Sequence, residues 1–191
     1  MENKTSYDRR GFIKSFSGFF IGTYLISATG SKFDMKKRKK LWDEFSEEEN
    51  KFVAKSEMAK DILNYPGQGF SCAGSILACA VKFLDKPQEI SHAASSFGGG
   101  IGRSDLCGLL SGGHMAIGIS AGMIHSEVKQ RQKYAREISN QYWDWWESRA
   151  PIHCKELKTK YDREGYLRMI QRVALKIEEL IKPAPKIETP H

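Results

Sequence analysis

The chain has 191 residues, room for a leader and one compact domain but not for a second full one. With 40% hydrophobic and 28% charged residues, wholesale disorder is excluded, while enzymes and binding modules both remain open. The formal charge is +7; setting Lys4, Arg9, Arg10 and Lys14 against Glu2 and Asp8 leaves +5 beyond residue 30. The basic runs Lys36 to Lys40 and Lys129 to Arg136 come without a nucleic-acid-binding motif, so they read as solvated surface and no nucleic-acid partner is expected.

Asp8-Arg9-Arg10-Gly11-Phe12-Ile13-Lys14 precedes a moderately apolar run from Phe16 to Ala28. A positive amino end followed by an apolar stretch too short to span a bilayer comfortably is the order of an export signal. The paired arginines, with Phe12 and Lys14 beyond them, resemble a twin-arginine translocation signal. That resemblance implies the twin-arginine export machinery as a partner and a periplasmic or otherwise extracytoplasmic location. Ala28 and Gly30 offer a cleavage point, and an uncleaved leader would instead act as a membrane anchor. The expected organisation is a signal peptide over 1–30, a basic linker over 31–45, a helical domain over 46–182 and a flexible tail over 183–191.

Within that domain Ser46 followed by three glutamates predicts an N-cap and a helix to about Asn64, stopped by Pro66-Gly67-Gln68-Gly69. Ser71 to Leu84 is apolar on most sides, as a buried helix would be. Pro87 opens a short helix to Ser95, and Phe97-Gly98-Gly99-Gly100-Ile101-Gly102 must be irregular. Asp105 is the expected cap of the next helix, which carries Cys107 and many small residues, among them Gly112, Gly113, Ala116 and Gly118. A polar helix tipped by Trp143, Trp145 and Trp146 is expected from Ile124 to Arg149, ended by Ala150-Pro151. Leu167, Ile170, Ala174, Ile177 and Ile181 mark a final amphipathic helix. No strand alternation or internal repeat is visible, so the predicted fold is all-α, a compact bundle of five or six helices around a glycine-rich loop.

Four cysteines, at 72, 79, 107 and 154, form no Cys-x-x-Cys and no haem-attachment motif. Cys72 and Cys79 stand two turns apart on one helix face, about 10 Å by rise, too far for a bridge to each other. Thiolates are both the nucleophiles of disulfide exchange and soft metal ligands, and a helix N-terminus lowers a thiol's pKa. Cys72 and Cys107 are both expected in a first helical turn. In one unbroken helix Cys107, His114 and His125 would share a face, and thiolate with imidazole suits zinc, iron or copper. Cys79, between Ala78 and Ala80, reads as a packing residue. The Trp143 to Trp146 group reads as core or interface, with an aromatic wall for a planar cofactor as the alternative.

Cys72 at the head of a small-residue helix, the Phe97-Gly98-Gly99-Gly100-Ile101-Gly102-Arg103 loop and Cys107-Gly108-Leu109-Leu110-Ser111-Gly112 together resemble a redox-active family named for its C-GCAxxG-C-C pattern. Cys154, in His153-Cys154-Lys155, stands where that family's third cysteine falls. Leu109 replaces the usual alanine, and no fourth cysteine follows Cys154. The tryptophan-rich stretch leading to Cys154 is more distantly similar to split-Soret cytochromes. The resemblance implies a site of Cys72, Cys107 and Cys154, with His153, Gly99 and Gly100 beside it; His114, from its spacing to Cys107, is a further candidate metal ligand. The first reading is therefore an exported redox or electron-transfer protein, with a thiol/disulfide pair or a metal cluster, working with a redox partner protein. An iron-sulfur cluster, another metal or haem are the cofactors in view. The alternatives are a non-catalytic metal- or haem-binding module, as a homodimer, and a structural protein whose cysteines form one stabilising bridge.

Overall fold

Ser46 opens the first helix, α1 (Glu47–Lys55), with a full capping box: its hydroxyl accepts the Glu49 N–H at 3.2 Å while the Glu49 carboxylate accepts the Ser46 N–H at 2.9 Å. The computed structural model describes residues 39–181, so the expected leader, most of the linker and the tail lie outside the described residues. The single helix expected to Asn64 is broken at Ser56, whose backbone is extended at ψ 128. Ser56 Oγ caps a new helix, α2 (Glu57–Asp61), by accepting the Ala59 N–H, and it donates to Glu178 at 2.6 Å. Glu178 also takes the Met58 N–H at 2.8 Å. A distant carboxylate thus satisfies the Met58 amide, which a continuous helix would have tied up internally, and sequence periodicity carries no trace of it. A 3₁₀ turn, Ile62–Asn64, completes the segment.

Ser71 caps α3 (Cys72–Phe83), which is buried almost throughout. Pro87 stands just before a 3₁₀ stretch, Gln88–Phe97, which ends two residues later than expected. The glycine loop is irregular as predicted: Gly99, Gly100, Ile101, Gly102 and Ser104 all have positive φ. Cys107, not Asp105, is the N-cap of α4 (Gly108–Ile124). The polar helix starts later than expected, because Ile124 closes α4 and Glu127 caps α5 (Val128–Glu147) by accepting the N–H groups of Lys129 and Gln130. A short α6 (Cys154–Leu157) and the amphipathic α7 (Arg163–Ile181) follow. Among the described residues there is no strand, only one antiparallel bridge between Leu106 and His153, and no helix is long and apolar enough to cross a membrane.

The core lies where α3 packs on α4, with α5 on the outer side of α4 and α7 running over α2, α3 and α4. Small residues make that approach: a Cβ on Gly112 would stand 2.7 Å from the Ala73 carbonyl oxygen, and one on Gly108 would stand 3.0 Å from the Ala73 nitrogen. Tyr142 and Trp146 of α5 are fully buried. Tyr142 donates to the Leu109 carbonyl at 3.1 Å and Trp146 to that of Pro151 at 2.9 Å, so both polar tips are satisfied.

The packed chain begins before residue 46. Leu41 is fully buried, and the carbonyls of Leu41, Asp43 and Glu44 accept from Arg172 on α7. The same guanidinium is paired with Glu49 at 3.0 Å and lies 4.3 Å over the Phe45 ring. Arg172 sits in the apolar stripe of α7 between Met169, Ile170 and Val173, and its burial is tolerated because every side of the fork meets an acceptor.

Candidate functional site

Three segments remote in sequence build the candidate site. Cys72 is the first residue of α3, Cys107 the cap of α4, and Cys154 the first residue of α6. The bridge at Leu106 and His153 ties two of them together: the Cys107 N–H donates to the Ile152 carbonyl at 2.8 Å, and the Cys154 N–H donates to that of Asp105 at 2.6 Å. Gly108, next to Cys107, presses on α3 so closely that a Cβ there would meet the Cys72 Cβ at 3.1 Å. The glycine loop supplies the other wall. A Cβ on Gly100 would come within 2.8 Å of the Cys154 Cβ and 2.5 Å of the Asp105 nitrogen, and Gly100 has φ +68. Only glycine fits there, so Gly100 lets the loop close directly on Cys154. Gly99 faces open space.

All four cysteines are free thiols, but their surroundings differ. Cys72 is partly exposed, whereas Cys107 and Cys154 are buried. Burial pushes the Cys107 thiol up to about 12, and the nearby Cys72 and Cys154 push it further the same way. The amides of Leu110 and Leu109 approach its sulfur and pull against that rise, yet no full capping hydrogen bond forms. The expectation that a helix N-terminus would activate Cys107 is thereby overturned: desolvation of the charge outweighs the helix end. Burial also raises the Cys154 thiol, with the Lys158 ammonium pulling it back down and Cys72 adding to the rise. Cys72 and Cys154 are both near enough for their charge to be felt at Cys107, and Cys72 for its charge to be felt at Cys154.

Two phenols complete the enclosure. Tyr166 donates from its hydroxyl to Cys72 Sγ at 3.5 Å and stacks on Tyr161 with ring centroids 5.9 Å apart. Burial first, and then the proximity of Cys72, pushes both hydroxyls well above the ordinary phenol range, so they remain donors at any physiological pH. Nothing in the cysteine and glycine pattern pointed to these tyrosines; the available signal was their position seven and twelve residues after Cys154, on either side of the first residue of the amphipathic helix.

His153 sits beside this group with its Nδ1 2.8 Å from Asp105 Oδ1, both side chains exposed. Asp105 therefore orients an imidazole and does not cap a helix. The histidine face expected along one helix is broken at both ends. Cys107 precedes α4, and His125 follows it in extended conformation against the Tyr134 ring. His114 lies within α4 with its ring 5.3 Å from that of Tyr142 and 6.1 Å from that of Trp143, and burial lowers its pKa. Among the described residues no three side chains of His, Cys, Asp or Glu are arranged to hold a metal ion. Cys79 packs in the core away from the other three, its sulfur 3.5 Å from the Met58 carbonyl, and burial pushes it up to about 12. Of the tryptophans, Trp146 is core, while Trp143 and Trp145 pack against its edge.

The described residues form an all-α bundle in which Cys72, Cys107 and Cys154 each stand at the start of a helix. The chain belongs to the family described as Putative redox-active protein (C_GCAxxG_C_C), whose model matches residues 70–180, more than half its length. No curated protein and no solved structure matches it.

Proposed function

We propose that this chain is a two-electron thiol/disulfide redox protein whose site is formed by Cys72, Cys107 and Cys154. The observation that carries the reading is the proximity of these three thiols from segments 35 and 47 residues apart, while Cys79 has Met58, Asp61 and Lys82 as its neighbours. Cys72 is the attacking sulfur, because it is the partly exposed one and stands at a helix N-terminus, where negative charge is favoured. Its thiolate attacks one sulfur of a substrate disulfide, forming a mixed disulfide and expelling the other sulfur as a thiolate. Cys154 then attacks the Cys72 sulfur, closing a Cys72–Cys154 disulfide and releasing the second substrate thiolate. The substrate gains two electrons and takes up two protons, and the cysteine pair loses the same. Cys154 is preferred to Cys107 for this second step because Lys158 offsets part of the rise that burial gives it, whereas burial pushes Cys107 up to about 12.

The test is to titrate the full chain with oxidised glutathione and map the products by mass spectrometry. The expected product is a loss of two hydrogens linking Cys72 to Cys154, with Cys79 still alkylatable. A bridge involving Cys79, or no bridge at all, refutes the reading. Visible absorbance, or stoichiometric metal on elemental analysis, would replace it with the metal- or haem-binding alternative. Export belongs to the same proposal and is supported by the Arg9-Arg10 leader. Replacing both arginines by lysine should retain the protein in the cytoplasm, and unchanged export would remove that part.

A further inference from the structure

We infer that Tyr166 is a working part of the thiol site, the hydrogen-bond donor that favours Cys72 as a thiolate and aims its sulfur. The inference rests on the proposed role of Cys72 as the attacking sulfur. Tyr166 Oη reaches Cys72 Sγ at 3.5 Å, a normal length for a hydroxyl donating to sulfur, from a residue 94 positions away in the chain. The phenol has little freedom to leave. Its ring is packed against the core at the start of α7 and stacked on Tyr161 with planes 30° apart. The start of α7 is itself fixed, since Asp162 Oδ1 accepts the Gly165 N–H at 2.7 Å and the Asp162 carbonyl accepts that of Tyr166 at 2.9 Å.

A donor held in a partly dry site acts on the two forms of a thiol unequally. A neutral thiol is a weak acceptor, whereas a thiolate is a strong one, so the bond gains most of its strength when the proton leaves. The donor comes from α7, while Cys72 itself is the first residue of α3, so the contact joins two elements at the sulfur. Burial keeps the Tyr166 hydroxyl protonated, and the proton it shares is not lost to the sulfur. Tyr161 stands near the same sulfurs, but its hydroxyl makes no hydrogen bond to them, which makes it the natural comparison.

The experiment measures the rate of Cys72 alkylation by iodoacetamide against pH in the full chain, resolved from the other cysteines by mass spectrometry. Tyr166→Phe removes one oxygen and keeps the ring. It should slow Cys72 at pH 7 roughly threefold to tenfold, move the profile to higher pH, and leave the limiting rate at high pH unchanged. Tyr161→Phe should leave the profile in place. Site-specific 3-fluorotyrosine at 166, a stronger donor of nearly the same size, should move it the other way, and this arm stands even if the phenylalanine variant folds poorly. A Tyr166→Phe profile that superimposes on the parent, or a loss of rate that is equal at every pH, overturns the inference. Its failure is distinct from that of the disulfide cycle. A Cys72–Cys154 bridge can form with the profile unmoved, and the profile can move with no bridge formed.

Discussion

Replacing Gly100 by Ala is the sharpest perturbation of the loop that walls the cysteines. Gly100 has φ +68, and a Cβ there would stand 2.5 and 2.8 Å from the backbone nitrogen and oxygen of Asp105 and 2.8 Å from the Cys154 Cβ. The left-handed conformation costs an alanine about 1 to 2 kcal/mol. Overpacking against backbone atoms that cannot rotate away adds roughly 1 to 3 kcal/mol, for about 2 to 5 kcal/mol in all. Gly99 and Gly102 are also left-handed, at φ +61 and +65, but a Cβ on either meets nothing within 4 Å, so Gly99→Ala and Gly102→Ala should cost only the conformational part. Urea unfolding measures the difference. With a slope of about 2 kcal/mol/M, Gly100→Ala should lower the midpoint by roughly 1 to 2.5 M and the two controls by about 1 M or less. The added carbon also pushes on Cys154, so that thiol should be alkylated faster in Gly100→Ala and unchanged in the controls. Equal midpoints for all three variants would refute the claim that the loop is pressed against Cys154, leaving backbone conformation as the whole requirement.

Burial alone would raise the Glu49 carboxyl, but hydrogen bonds from Arg172 and the Ser46 cap outweigh it and lower it from its ordinary 4.5 to about 2. Its contribution is therefore complete above about pH 4.5 and lost as pH falls toward 2, on the order of 2 kcal/mol once its partial exposure is discounted; Glu49→Gln should flatten urea midpoints measured across that window. Arg172→Met should cost about 3 to 5 kcal/mol in the same assay, because it strands the Glu49 carboxylate and three carbonyls, and a loss below about 1 kcal/mol would show the network to be dispensable. Glu178→Gln should cost roughly 1 to 3 kcal/mol by weakening the contacts to Ser56 and Met58, with hydrogen exchange of the Met58 amide reporting the site. Iodoacetamide at pH 7.5 should label Cys72 first and Cys79 and Cys107 last, the latter two being held near 12 by burial; early labelling of Cys107 would contradict its surroundings.

Local chemistry in the sequence was enough to place most helices, since Ser46, Ser71 and the periodic apolar residues of α3 and α7 act within a few residues of themselves. It was also enough for the irregular glycine loop and for separating Cys79, flanked by alanines, from the other cysteines. That Cys72, Cys107 and Cys154 belong together came from resemblance, because nothing in their spacing says that α3, α4 and α6 begin at one place. Tertiary structure decided the remainder. Glu178 broke the expected first helix at Ser56, and Arg172 tied the carbonyls of Leu41, Asp43 and Glu44 to α7. Asp105 was diverted from capping to His153, and Tyr166 was brought to the Cys72 sulfur. Each is a polar contact between residues 48 to 131 positions apart. Such contacts are selected by packing geometry and by the cost of leaving a buried polar group unpaired, and neither leaves a periodic mark in the chain. The same holds for the Cys107 thiol, whose helix end was legible but whose burial, the larger effect, was not.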